Sequence, residues 1–127
     1  MTAIYADPRV IWERVLRRTV QTVTGCWEWT GGTNSDGYGL VGSGRSALNV
    51  TVHRVAVIVR DGRDIPPGMT VDHLCHKADE CPGGRTCRHR RCVNPEHLAV
   101  TTLAVNAGRA NRERASARRR AAHARAS

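Results

Sequence analysis

The apolar positions of the chain change period along its first half. Val10, Ile11, Trp12, Val15, Leu16, Val20 and Val23 recur near helical spacing. Asp7 is a ready N-cap and Pro8 suits the first helical position, so the pattern predicts a helix over residues 7–23. From residue 26 the period shortens. Trp27 and Trp29 alternate with Cys26, Glu28 and Thr30, a strand signature. Gly31-Gly32 opens a turn, and Tyr38-Gly39-Leu40-Val41-Gly42 reads as the return strand. Residues 50–60, with Val52, Val55, Ala56 and Val59, fit a helix or a strand, and Asp61-Gly62 ends that element. Pro66-Pro67-Gly68 makes a turn.

Beyond residue 68 regular patterning is scarce. Met69 to Leu74 and Leu98 to Val100 read as short strands. Thr101 or Thr102 caps a final helix that runs through Asn106. That helix is expected to dissolve into an Arg/Ala tail, Arg109 to Ser127, helical against an anionic partner and frayed otherwise. No internal repeat is present.

Composition narrows the means of stabilisation. A chain of 127 residues makes one domain, yet it has no Phe, 4% aromatic residues and 12 glycines. Small domains short of large apolar side chains lean on metals or disulfides. The 20 Lys+Arg against 11 Asp+Glu leave a net charge of +9, and Lys77 is the sole lysine. The planar fork of arginine matches phosphate, which suits a nucleic-acid surface. A genome rich in G and C would favour Arg as well, and the two causes are compatible. No stretch approaches the roughly 20 apolar residues of a membrane span. No signal peptide is read in the first thirty residues, so a cytosolic setting is expected.

In that setting clustered Cys and His are metal ligands more often than disulfides. Cys75, Cys81, Cys87 and Cys92 fall within eighteen residues, with His76, His89 and His97 among them. The intervening Cys81-Pro82-Gly83-Gly84-Arg85-Thr86-Cys87 cannot bury apolar area. Zinc, which prefers four tetrahedral N and S ligands, is the expected source of order there.

Three stretches carry a resemblance. They are Val71-Asp72-His73-Leu74-Cys75-His76, then Cys92-Val93-Asn94-Pro95-Glu96-His97-Leu98, then Asn106 nine residues after His97. Upstream stand Cys26-Trp27-Glu28-Trp29-Thr30-Gly31, Gly37-Tyr38-Gly39 and His53-Arg54. Together they resemble the HNH nuclease superfamily, and more closely the His-Cys box homing endonucleases and their phage-encoded HNH relatives. The resemblance covers roughly residues 25–111. It implies an α+β fold: a small zinc-stabilised ββα-metal (His-Me finger) nuclease domain at 25–111. An N-terminal helix at 1–24 and a basic C-terminal helix or tail at 112–127 flank it.

The implied activity is metal-dependent DNA cleavage. His73 would be the general base, since a neutral imidazole accepts a proton from water near neutral pH. Asp72 and Asn106 would give oxygen ligands to Mg²⁺, with Mn²⁺ as an alternative ion. The pair Asp72-His73 resembles that of the HNH domain in CRISPR-guided nucleases, whereas the His-Cys box enzymes lack the Asp. Neighbours in a strand face opposite ways, so both reach one site only if the strand twists or ends there. Asp72 is therefore also open to binding a loop amide or orienting a histidine, and Asn106 to binding a backbone group. Arg45 corresponds loosely to a family arginine placed against the scissile phosphate. His53 is expected in the core or near the site, and Arg54 near DNA backbone.

The resemblance also sorts the zinc ligands. Cys75, Cys92 and His97, with Cys26 from far upstream, match the family's first zinc site. Sixteen residues separate Cys75 from Cys92, where short family members have only a few. We expect this insertion to carry a second zinc on His76, Cys81, Cys87 and His89. The alternative is one site in which Cys81 or Cys87 replaces Cys26. Neither zinc would be catalytic, because a closed site has no open position. The expected partner is double-stranded DNA, met by the Arg tail and by Arg85, Arg88, Arg90 and Arg91. A chain this short suits low specificity or nicking, unless it forms a homodimer. If phage-encoded, it would act in the cytoplasm of a bacterial host. A non-catalytic zinc-stabilised DNA-binding module and a phage packaging-associated accessory protein are the alternatives.

Overall fold

The computed structural model describes residues 6–44 and 48–126. It is a small mixed α and β protein: helix α1 (Pro8–Arg17), strands β1 (Thr19–Gln21), β2 (Trp27–Trp29), β3 (Leu40–Gly42) and β4 (Asn49–Thr51), helix α2 (Val52–Asp61), strands β5 (Met69–His73) and β6 (Leu98–Thr102), and helix α3 (Leu103–Ala126). Short 3-10 turns occupy Arg88–Arg91 and Pro95–His97. The strands form three antiparallel pairs, β1 with β2, β3 with β4 and β5 with β6.

The first helix is shorter than its periodicity predicts. Asp7 caps it through the Arg9 amide, and Ile11 and Val15 bury its inner face. It stops at Arg17 because Thr19–Gln21 pairs with Trp27–Trp29, Thr19 opposite Trp29. Val20 and Val23, which extended the helical pattern, are exposed. The β-branched residues fit the hairpin ladder better than a helix whose far face has nothing to bury. Because Ile11 and Val15 join the same core as α2, the packing does not divide at residue 24.

The expected return strand also finds a different partner. Leu40–Gly42 pairs with Asn49–Thr51 and not with the tryptophan strand. The ambiguous segment 50–60 resolves into helix α2, with Val52, His53, Val55, Ala56, Val57 and Ile58 all buried. Gly62 ends it with φ of 70°, its amide bonded to the Ile58 carbonyl, a left-handed cap that glycine adopts without strain. Trp29, Val41, Val50, Val71, Val93 and Leu98 close the core around α2.

Strand β5 pairs with β6 in register from Met69 opposite Thr102 to His73 opposite Leu98. The Thr102 hydroxyl accepts from the Val105 amide and starts α3. This helix runs without a break to Ala126, past the point where the sequence suggests fraying. The insertion between Cys75 and Cys92 lies against the loop around Gly37. A Cβ there would stand 2.4 Å from the Arg85 carbonyl oxygen, so only glycine admits that approach.

Candidate functional site

The cysteines and histidines gather into two clusters. Cys26, Cys75, Cys92 and His97 bring one donor atom each to within 4.8 Å of one another, and so do His76, Cys81, Cys87 and His89. All five cysteines are free thiols. In the first cluster His97 Nδ1 lies 3.7 Å from Cys26 Sγ and 3.5 Å from Cys92 Sγ. In the second, Cys87 Sγ lies 3.5 Å from Nδ1 of both His76 and His89 and 3.6 Å from Cys81 Sγ. Tetrahedral zinc, with its usual bond lengths, spaces S and N ligands by about 3.6 Å and two S ligands by about 3.8 Å. Both donor sets can therefore bind zinc in kind and in spacing. The alternative in which Cys81 or Cys87 replaces Cys26 does not match this grouping, since Cys26 joins the first cluster.

Ionisation within the first cluster points the same way. The Cys75 side-chain contact draws the Cys92 thiol down to about 5, aided by amides of Asn94 and Trp27. Cys75, facing that thiolate, is pushed up, and burial raises Cys26. Three crowded thiols ionise together only beside a cation.

Local structure assembles this cluster from distant segments. Asn94 caps the 95–97 turn, accepting from the Glu96 amide, while its own amide donates to the Gly25 carbonyl. It thereby joins the turn that presents His97 to the loop that presents Cys26. A bridge between Glu28 and Cys92, and the Val93 amide donating to the Trp27 carbonyl, complete the seam. Glu28 also accepts a two-pronged bond from Arg88, at 2.9 and 2.7 Å, and so ties the insertion to β2.

Strand β5 ends between the clusters. Its last residue, His73, is buried, and its Nε2 lies 3.2 Å from the Cys92 carbonyl oxygen. A carbonyl only accepts, so Nε2 carries the proton and Nδ1 is left as the basic nitrogen. Burial pushes the His73 pKa down to about 4, partly opposed by that carbonyl. His53 packs beside it with ring centres 4.8 Å apart, and Tyr38 stacks on His53 at 5.2 Å. His53 is held well below the usual imidazole range, first by burial and then by His73, and its Nδ1 has no hydrogen-bond partner among the described residues. The Arg90 guanidinium covers the Tyr38 ring at 4.8 Å.

Asp72 is engaged by α3. Arg109 donates to both carboxylate oxygens, each at 2.8 Å. The Asn106 side-chain amide stands on the same carboxylate and, with its nitrogen turned to these two acceptors, lies 2.9 Å from Oδ1 and 3.3 Å from Oδ2. Among the described residues the partners of Asp72 are thus Arg109 and Asn106 and not a histidine or a loop amide, and Asn106 meets a carboxylate and not a backbone group. Arg45 lies outside the described residues. Several arginines expected at a nucleic-acid surface also make contacts within the chain, Arg88 and Arg120 while still 74% and 62% exposed. Arg109 is held by Asp72, Arg120 by Asp79, Arg88 by Glu28, and Arg90 by Tyr38 and the Asp36 carbonyl. Each meets a fixed acceptor or ring that only the folded chain places beside it.

The sequence reading gave Arg109, Glu113, Asn94 and Tyr38 no role at the site. Asn94 before Pro95 carried a legible N-cap signal, and Arg109 with Glu113 a legible i,i+4 pair. Nothing local linked either to Asp72 or Gly25.

The chain is similar to Protein 2.8 of Escherichia phage T7. The two are 35% identical over 106 residues, 79% of this chain and 63% of that protein. The chain therefore spans less than two thirds of the length of this relative. No family model matches the chain, and no solved structure does. Among the described residues no helix is long and apolar enough to cross a membrane.

Proposed function

We propose that this protein is a metal-dependent DNA endonuclease of the HNH, His-Cys box class, with His73 as general base. The observation that carries the reading is the juxtaposition at the end of β5. A buried neutral imidazole fixed by the Cys92 carbonyl sits next in sequence to a carboxylate that meets the Asn106 amide. Strand β5, strand β6 and helix α3 follow one another as the ββα order requires. Similarity to a phage protein fits a phage-encoded nuclease.

The donor set suits Mg²⁺. Turning the Asn106 amide by half a turn would put its oxygen 2.9 Å from Asp72 Oδ1. Two oxygens on an octahedral Mg²⁺ shell stand about 2.9 Å apart, and this ion is commonly held by one or two protein groups plus substrate phosphate. A cation on Asp72 and Asn106 would polarise the scissile phosphate and neutralise charge on the leaving 3′ oxygen. Nδ1 of His73 would take the proton of the attacking water, while the Cys92 carbonyl holds the opposite nitrogen protonated. The two Cys/His clusters would hold structural zinc, closed and uninvolved in cleavage. The exposed Arg112, Arg114, Arg118, Arg119 and Arg125 of α3 would meet backbone phosphates of double-stranded DNA.

One observation favours a second reading. Both oxygens of Asp72 already accept from Arg109, an arrangement that also serves a zinc-stabilised DNA-binding module without catalysis. Plasmid nicking by purified protein with added Mg²⁺, beside His73→Ala, separates the two. Nicking by the wild type alone supports the nuclease. Salt-sensitive DNA binding without nicking supports the module.

A further inference from the structure

Helix α3 meets the body of the protein without apolar anchorage. None of its residues belongs to the core formed by the described residues, and Leu103 and Val105 are exposed. Its contacts are polar, and they converge on one short segment. Arg109 Nε and Nη2 bond the Asp72 carboxylate, Nη2 also the His73 carbonyl at 3.2 Å, and Nη1 both the His76 carbonyl at 3.0 Å and Glu113. All five guanidinium N–H groups are thereby used. Glu113 accepts in turn from the Ala78 amide at 2.8 Å, and Arg120 pairs with Asp79. The side chains of Arg109, Glu113 and Asp72 are 19%, 16% and 9% exposed, so solvent screens this hub only weakly.

The receiving segment, residues 72–79, passes through both metal clusters. Cys75 belongs to the first and His76 to the second. The loop from His76 onward is rich in glycine and charge and has no apolar core of its own; Arg88 and Arg90 tie its far end to Glu28 and Asp36, and a metal on the second cluster would fix the end that carries His76. The alanines of α3 favour a helix locally, but with no apolar stripe and many like charges its position on the body comes from this seat.

We infer that Arg109 is a positioning residue, and that metal in the His76, Cys81, Cys87 and His89 cluster builds the seat on which it docks α3. The second cluster then governs where Asn106 stands relative to Asp72. The functional meaning of that placement rests on the nuclease reading, whereas the docking itself does not. Lysine cannot replace Arg109, because an ammonium has three donors on one atom and cannot span five acceptors.

The test follows tryptic cleavage at Arg112 and Arg114 by mass spectrometry on the full zinc-loaded chain, with zinc content and thermal unfolding measured in parallel. In Arg109→Gln we expect cleavage at those two bonds to rise at least tenfold with two zinc ions retained. In the double variant Cys81→Ser, Cys87→Ser we expect one zinc ion and the same rise. Glu113→Gln, which leaves every metal ligand in place, should give a smaller rise and guards against a double variant that fails to fold. In a nicking assay Arg109→Gln should raise the Mg²⁺ concentration for half-maximal rate, a parameter that a mere loss of folded protein leaves alone. Helix α3 as protected in Arg109→Gln as in the wild type would overturn the inference. So would protection unchanged by loss of the second zinc, or an unmoved Mg²⁺ requirement. If the wild type does not nick DNA, the nuclease reading fails while the cleavage pattern still decides the docking.

Discussion

The imidazole of His73 is suspended from the carbonyl of Cys92, 3.2 Å from Nε2 to oxygen. Cys92 also turns its Sγ to the first cluster, 3.5 Å from His97 Nδ1. One residue thus fixes the tautomer of the proposed base and offers a metal ligand. Removing the imidazole should affect chemistry more than folding. In His73→Ala we expect nicking to fall by about 10²–10⁴-fold, the usual worth of a general base, with zinc content unchanged. Nicking at the wild-type rate would refute the assignment.

Metal content should divide by cluster. Mass spectrometry of the native protein should find two zinc ions per chain, one fewer in Cys87→Ser. Cys92→Ser should lose the other ion and unfold or melt far lower, because the first cluster joins the Cys26 loop to both β5 and the 95–97 turn. Structural zinc contributes on the order of 10 kcal/mol in small modules. A single ion in the wild type would dismiss the two-cluster arrangement. Unchanged melting of Cys92→Ser would dismiss its structural role.

DNA affinity should depend steeply on salt through the exposed arginines of α3 that lie away from the Asp72 seat. Arg114, Arg118 and Arg125 share one side of α3, opposite the side that carries Arg109. Replacing these three with serine should reduce the slope of log affinity against log salt by about 2.7, near 0.9 per phosphate contact on duplex DNA. A slope equal to that of the wild type would place the phosphate contacts elsewhere.

Stability should fall in mild acid. Burial lowers the pKa of His53 well below 6.5 and that of His73 to about 4. Below pH 6.5 the unfolded chain binds protons that the folded chain refuses, so stability is complete above that value. It is lost as the pH falls through the window between the two states, at roughly 1.4 kcal/mol per pH unit for each histidine. Denaturant titrations between pH 7.5 and 5.5, with zinc retention monitored, should show this slope, and His53→Gln should reduce it. A flat profile in the wild type would mean that these imidazoles are not buried neutral.

Local signals were strong enough to place some elements and not others. Asp7-Pro8 and Gly62 fixed where α1 begins and α2 ends, because caps and left-handed turns are decided by one or two residues. Val20 and Val23 misled, since helical periodicity is informative only where a face is buried, and β1 and the turn after it leave them exposed. The strand at Leu40 was visible, but its partner Asn49–Thr51 was not, because strand pairing is decided by the competing ladders of the whole chain.

By itself the sequence determined the donor chemistry: five thiols and interleaved imidazoles suited to zinc in one site or two, a histidine beside a carboxylate, and a chain too rich in arginine and too poor in aromatic residues to rely on its core alone. Tertiary structure decided the partners. It brought Cys26 across to Cys75, Cys92 and His97, and it turned Arg109 away from solvent onto Asp72. The physical reason is that donor type is a property of each side chain. Which acceptor an arginine meets, or which thiols share a corner of a tetrahedron, depends on contacts between residues tens of positions apart, and only the packed fold fixes those.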